Sequence, residues 1–131
     1  MDASLTFIGK INSTLKRLED CPRLEHEQAP SAVIEIFAPY GEAMKDIKPG
    51  SELILFTWLH VADRNVLTTH PRNDLNAPLT GIFSTRSPDR PNPIGMHCVK
   101  VVSMLNENTF IVSALEALDQ TPLLDIKPDL R

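Results

Sequence analysis

Between Thr85 and Gly95 the chain reads T-R-S-P-D-R-P-N-P-I-G, which places Arg86, Ser87, Arg90 and Asn92 among the prolines Pro88, Pro91 and Pro93. Guanidinium groups donate in a fixed fork and suit carboxylates and phosphates, while a carboxamide both donates and accepts. Proline offers no backbone N–H, so these three cannot lie inside a central strand or a helix. Ser87, Arg90 and Asn92 each precede a proline and are pushed toward extended geometry. Polar side chains on so stiff a backbone lose little entropy when a ligand orders them. The same composition would serve an ordinary connection whose arginines stand in water. A second polar group lies in T-P-L-L-D-I-K-P-D-L, Thr121 to Leu130. There Asp125 and Lys127 are two apart and share a face if the segment is a strand; they can form a surface ion pair or supply a proton-accepting carboxylate.

Short runs rich in Val, Ile, Phe and Thr must position these groups. Leu5–Ile11, Ala32–Ala38, Glu52–Val61, Gly81–Thr85, His97–Leu105 and Thr109–Leu118 read as strands bounded by Pro, Gly, Asn and Asp. Asn106 to Asn108 suits a hairpin loop. Helical periodicity is weak, with one short turn expected near Gly41 to Ile47, and Asp63 to Asn76 reads as a long polar loop. The expectation is an all-β, mainly antiparallel fold, a closed or partly open barrel with long loops and at most one short helix. Trp58 and His60 end an apolar run, which predicts a core tryptophan followed by a strand-end histidine.

With 131 residues, 42% hydrophobic and 23% charged, the chain has the composition of one globular domain, residues 1–131. A formal charge of −4 gives no global attraction for a polyanion, so nucleic-acid binding requires a local basic patch. Arg64, Arg72, Arg86, Arg90 and Arg131 are the residues to build one. Cys21 and Cys98 make no disulfide framework, which fits a reducing cytoplasm. The start M-D-A-S-L-T-F-I-G lacks the pattern of a signal peptide, and no apolar run reaches membrane-spanning length, so a soluble protein is expected.

The five glycines never fall as G-x-G, which removes the dinucleotide fingerprint and the phosphate-cradling loop. His26, His60, His70 and His97 are scattered without metal-ligand spacing, so no metal is expected. His97 and Cys98, being adjacent, should face opposite sides of a strand. Ser84, Ser87 and Ser113 lack the G-x-S-x-G context of a hydrolase nucleophile.

Phe83 to Gly95, F-S-T-R-S-P-D-R-P-N-P-I-G, resembles the hallmark F-A-T-R-S-P-x-R-P-N-P-I-G of the TrmO or TsaA-like family of β-barrel methyltransferases. I-G-K-I-N-S near the start, C-P-R at Cys21 to Arg23, the apolar run ending W-L-H at His60, and D-Q-T-P-L-L-D-I-K-P extend the likeness over nearly the whole chain. The resemblance implies a cytoplasmic homodimer that binds S-adenosylmethionine and methylates N6 of threonylcarbamoyl-adenosine beside the tRNA anticodon. Matched residue by residue, it implies a cofactor site at Pro22, Arg23, His60, Arg86, Met96 and the run Glu116, Ala117, Leu118 and Asp119. Leu24 stands where the family has glutamine, Gln120 replaces the glycine of D-G-T-P, and Asp129 replaces the tyrosine after K-P. The resemblance also leads one to expect a short form without the C-terminal domain of longer members.

Methyl transfer from a sulfonium is an in-line displacement that needs alignment and a route for the released proton. On this basis Arg86 and Ser87 are expected to hold the cofactor, Arg90 and Asn92 to orient the acceptor, and Asp125, restrained by Lys127, to receive the proton. A small-molecule acceptor, or a non-catalytic cofactor-binding module, remains open on the same residues.

Overall fold

Burial alternates along Glu52–Trp58, where Leu53, Leu55 and Thr57 are buried while Ile54, Phe56 and Trp58 take the other face. That two-residue period is what a strand with one face in a core requires. The computed structural model describes residues 1–16, 30–71 and 74–131. Its strands are β1 Gly9–Asn12, β2 Ala32–Ile36, β3 Glu52–Trp58, β4 Thr68–Thr69, β5 Thr80–Gly81, β6 Ile94–Asn106, β7 Thr109–Val112 and β8 Pro122–Pro128.

Six of them form an antiparallel barrel in the order β1-β2-β7-β6-β3-β8. Closure depends on a short seam, where Gly9 faces Leu123 and Lys10 faces Pro122. The amide of Ile8 extends it by donating to the Leu123 carbonyl at 2.9 Å, and that of Ile11 to the Thr121 carbonyl at 3.0 Å. Inside, Ile11, Ile34, Leu55, Phe110, Val112, Leu115 and Leu123 have no exposed surface, the apolar filling expected of a small barrel.

The expected fold class is present, but several boundaries move. The first strand begins at Gly9, and the last apolar run pairs only from Thr109 to Val112. Beyond Val112 the segment runs irregularly to β8, and Leu115 and Ala117 are buried across the end of the barrel. Gly81–Thr85 is not a strand: Thr80–Gly81 pairs with Thr68–Thr69, after which Ile82–Ser84 forms a single 3-10 turn. The polar segment after Asp63 therefore contains half of a two-stranded hairpin. The helical turn expected near Gly41 is a 3-10 helix over Ala38–Met44. Trp58 is not a core residue. It lies on the outer face of β3, opposite in sense to buried Leu55 and Thr57, because strand alternation decides its side and hydrophobicity does not.

Gly95 permits the close packing at the start of β6. A Cβ there would run into Thr57 Oγ1 and lie 2.8 Å from His97 Nε2. His97 faces the barrel interior and Cys98 the other side, as adjacent strand residues must.

Candidate functional site

The proline-rich loop leads directly into β6, and four hydrogen bonds from Leu59, Asp63 and Arg64 tie it to the segment that follows β3. The amide of Leu59 donates to the Pro93 carbonyl at 2.8 Å, and that of Asp63 to Asp89 Oδ1 at 2.8 Å. Arg64 donates from Nε to the Pro91 carbonyl at 2.8 Å and from Nη2 to Asn92 Oδ1 at 3.3 Å. Its guanidinium also lies over the Trp58 ring, 5.0 Å from the centroid, within range of a cation–π contact. Prolines remove donors from this loop, so backbone amides and the Arg64 side chain of the neighbouring segment donate to it instead.

Arg90 is turned into its own loop. Its Nη2 donates to the carbonyls of Ile82 and Thr85, both at 2.7 Å, while its Nε is buried without a partner among the described residues. Ser87 donates its amide to Thr85 Oγ1 at 3.2 Å and accepts from the Asp89 amide at 3.3 Å. Arg86 lies between these anchored residues; it is exposed and makes no hydrogen bond or ion pair among the described residues. His60 is exposed in the turn that follows β3.

Met96 and Asp125 lie on the outer wall of the barrel, on either side of Phe56. Both pair with Phe56, Met96 from β6 and Asp125 from β8, so one row across three strands reads Met96, Phe56, Asp125. Two strand spacings separate the outer members by about 10 Å. Asp125 is exposed, pairs with Lys127 at 3.3 Å and accepts from the Ile126 amide at 2.9 Å. Asp129, where the family has tyrosine, is held in a fork by Arg131 at 2.8 to 3.3 Å, which draws its carboxyl below the usual carboxylate range.

A second polar cluster closes the barrel seam. Asp119 accepts from the Lys16 ammonium at 2.8 Å and the Ser13 amide at 2.9 Å; these, Lys16 foremost, lower its carboxyl from 3.8 to about 2. Gln120 keeps a left-handed turn with φ of 69°, so the missing glycine has not removed the turn. Its side chain donates to Asn12 Oδ1 at 2.7 Å and to Asp119 Oδ1 at 3.2 Å. Asn12, Ser13, Lys16, Ala32, Asp119 and Gln120 border a cavity of about 440 Å³, within the range of small-ligand pockets. Glu116 and Leu118 are half-buried and Ala117 is buried in the segment leading to this cluster.

Pro22 and Arg23 lie outside the described residues, as do Leu24 and Arg72. Of the five arginines considered for a basic patch, Arg90 faces loop carbonyls, Arg131 pairs with Asp129 and Arg64 donates to Pro91 and Asn92, leaving Arg86 exposed without such a partner among the described residues. Among the described residues no group of three His, Cys, Asp or Glu is arranged to hold a metal. Asp63 and Thr85 carry no signal in the sequence that marks them as loop anchors, and Arg64, expected only as part of a basic patch, instead braces the proline-rich loop. Arg64 meets Pro91 and Asn92 at separations of 27 and 28 residues, which no local spacing reveals.

The model of the tRNA-methyltransferase O N-terminal domain matches residues 10–131. A Rhizobium radiobacter protein named "Probable S-adenosyl-L-methionine-binding protein VirR" is 43% identical over 128 residues, covering 98% of this chain and 71% of that protein. An Archaeoglobus fulgidus "S-adenosyl-L-methionine-binding protein" is 35% identical over 120 residues, covering 92% of this chain and 84% of the relative. The crystal structure of TrmO from Pseudomonas aeruginosa superposes with a TM-score of 0.78 at 28% identity, over 99% of this chain and 57% of that one. This chain thus spans a little over half the length of that solved structure.

Proposed function

We propose that this chain, which belongs to the family of the tRNA-methyltransferase O N-terminal domain, binds S-adenosylmethionine and transfers its methyl group to tRNA, at N6 of threonylcarbamoyl-adenosine beside the anticodon. The observation that carries the reading is the family match over residues 10–131, which contains the entire proline-rich loop and the segment after β3 that anchors it. Relatives named for S-adenosylmethionine binding support the cofactor.

The residues present fit that cofactor. Exposed Arg86, held by its anchored neighbours, suits a carboxylate, and the cavity bordered by Asn12, Ser13 and Gln120 offers carboxamides and a hydroxyl to polar groups of the ligand. When bound, S-adenosylmethionine supplies a methyl group activated by a sulfonium. Arg86, Ser87, His60 and Met96, with the Glu116 to Asp119 segment and Pro22 and Arg23, form the proposed binding set. Arg90 shapes the loop through the Ile82 and Thr85 carbonyls, and Asn92 orients the acceptor. As the acceptor nitrogen gains the methyl it sheds a proton, and Asp125, whose carboxylate pairs with Lys127 at 3.3 Å, is the proposed recipient.

A cytoplasmic homodimer belongs to the same reading. Ile94 and Met96, 44% and 41% exposed on the outer wall, give a second copy an apolar surface to cover.

The test is calorimetric titration with S-adenosylmethionine and its demethylated product, followed by methyl transfer to threonylcarbamoylated tRNA. Binding with incorporation at the modified adenosine is the expected result. Binding without transfer to tRNA would favour a small-molecule acceptor or a cofactor-binding module.

A further inference from the structure

We propose that Arg64 is a positioning residue for methyl transfer, fixing the Asn92 carboxamide so that its NH2 donates to a lone pair on the methyl acceptor. The inference deepens the function proposed above and rests on it. Arginine carries donors and no acceptor, so the Asn92 group that meets Arg64 Nη2 at 3.3 Å must be its oxygen. The NH2 of the carboxamide is then what Asn92 has left to offer a ligand. A donor of this kind recognises a ring nitrogen or carbonyl oxygen, atoms that a modified purine presents.

The loop limits the ways Asn92 can turn. Pro91 and Pro93 flank it, Leu59 holds the Pro93 carbonyl at 2.8 Å, and Arg64 holds the Pro91 carbonyl at 2.8 Å. Arg64 is itself steadied against the Trp58 ring at 5.0 Å. With Nε and Nη2 engaged, Arg64 does not present its full fork to a phosphate. A simple electrostatic contact with tRNA would not need this arrangement; any cation would serve it.

Charge and geometry are separated by Arg64→Ala, Arg64→Lys and Asn92→Asp. Each is assayed for cofactor binding by calorimetry, for kcat and KM on tRNA, and for the emission of Trp58, the single tryptophan. Arg64 is exposed, so its replacements should fold. The expected result is that both Arg64 variants lose about tenfold or more in kcat/KM for tRNA, bind cofactor like the wild type, and shift the Trp58 emission. Asn92→Asp keeps an oxygen for Arg64 and loses the donor, so emission should stay native while turnover falls.

Full activity in Arg64→Lys would overturn the proposal in favour of a point-charge contact. Full activity in Asn92→Asp would show that the NH2 is not read. Unchanged Trp58 emission in Arg64→Ala would remove the clamp itself. A wild-type protein that binds no S-adenosylmethionine would instead overturn the function on which the proposal rests.

Discussion

The Thr57 hydroxyl and His97 Nε2 lie 2.9 Å apart inside the barrel, and Gly95 leaves them the room to do so. This buried polar pair ties β3 to β6 just where the proline-rich loop enters the sheet. Gly95→Ala puts a Cβ into Thr57 and His97, in a packed interior that yields little. The variant should lose about 1–3 kcal/mol in urea unfolding, through overpacking and disruption of the pair.

Arg90 closes the 3-10 turn by donating to the Ile82 and Thr85 carbonyls. Arg90→Ala leaves both partly buried acceptors without that donor and should cost about 1–2 kcal/mol. Limited proteolysis should then cut sooner within Ile82 to Arg90. Arg90→Lys should recover only part of the protection, because an ammonium lacks the planar fork.

Asp119 makes stability acid-sensitive. Its carboxyl falls from 3.8 to about 2 through Lys16 and the Ser13 amide. A folded value below the unfolded one means that the contribution is fully present above pH 3.8 and is lost as the pH drops toward 2. Allowing for solvent screening, it amounts to about 1 kcal/mol. Unfolding free energies of wild type and Asp119→Asn, measured from pH 6 to 2, should converge at the acid end.

Arg86 and Asp125 should separate binding from chemistry. Arg86→Ala removes an exposed cation whose loss leaves the fold intact, so cofactor affinity should fall about tenfold or more with little change in melting temperature. Asp125→Asn should lower kcat far more than cofactor affinity. Equal losses in both quantities would remove Asp125 from its assigned role.

Gln120 pays for its left-handed backbone, at φ of 69°, with strain that its bonds to Asn12 and Asp119 partly offset. Gln120→Gly relieves the strain and should stay within about 1 kcal/mol of wild type. Gln120→Val cannot adopt this conformation easily and should melt several degrees lower.

The arrangement of prolines, and the short runs of Val, Ile, Phe and Thr between turn signals, made the loop, the all-β class and the shared face of Asp125 and Lys127 legible in the sequence, since each follows from local backbone chemistry. The resemblance carried by T-R-S-P-D-R-P-N-P-I-G pointed to the family that the comparisons then matched. Tertiary structure decided the rest. Trp58 went to the outer wall because its register sets its side, and Arg90 turned to the Ile82 and Thr85 carbonyls because the 3-10 turn brings them within reach. The run after Thr109 left the sheet at Val112, so that Leu115 and Ala117 could bury themselves across the barrel end. The junction joins Arg64 and its near neighbour Trp58 to Asn92, 28 residues beyond Arg64, and the antiparallel pairing of β3 with β6 is what brings the two segments together. Local spacing encodes which face a side chain takes, whereas contacts between loops depend on how strands pair around the ring.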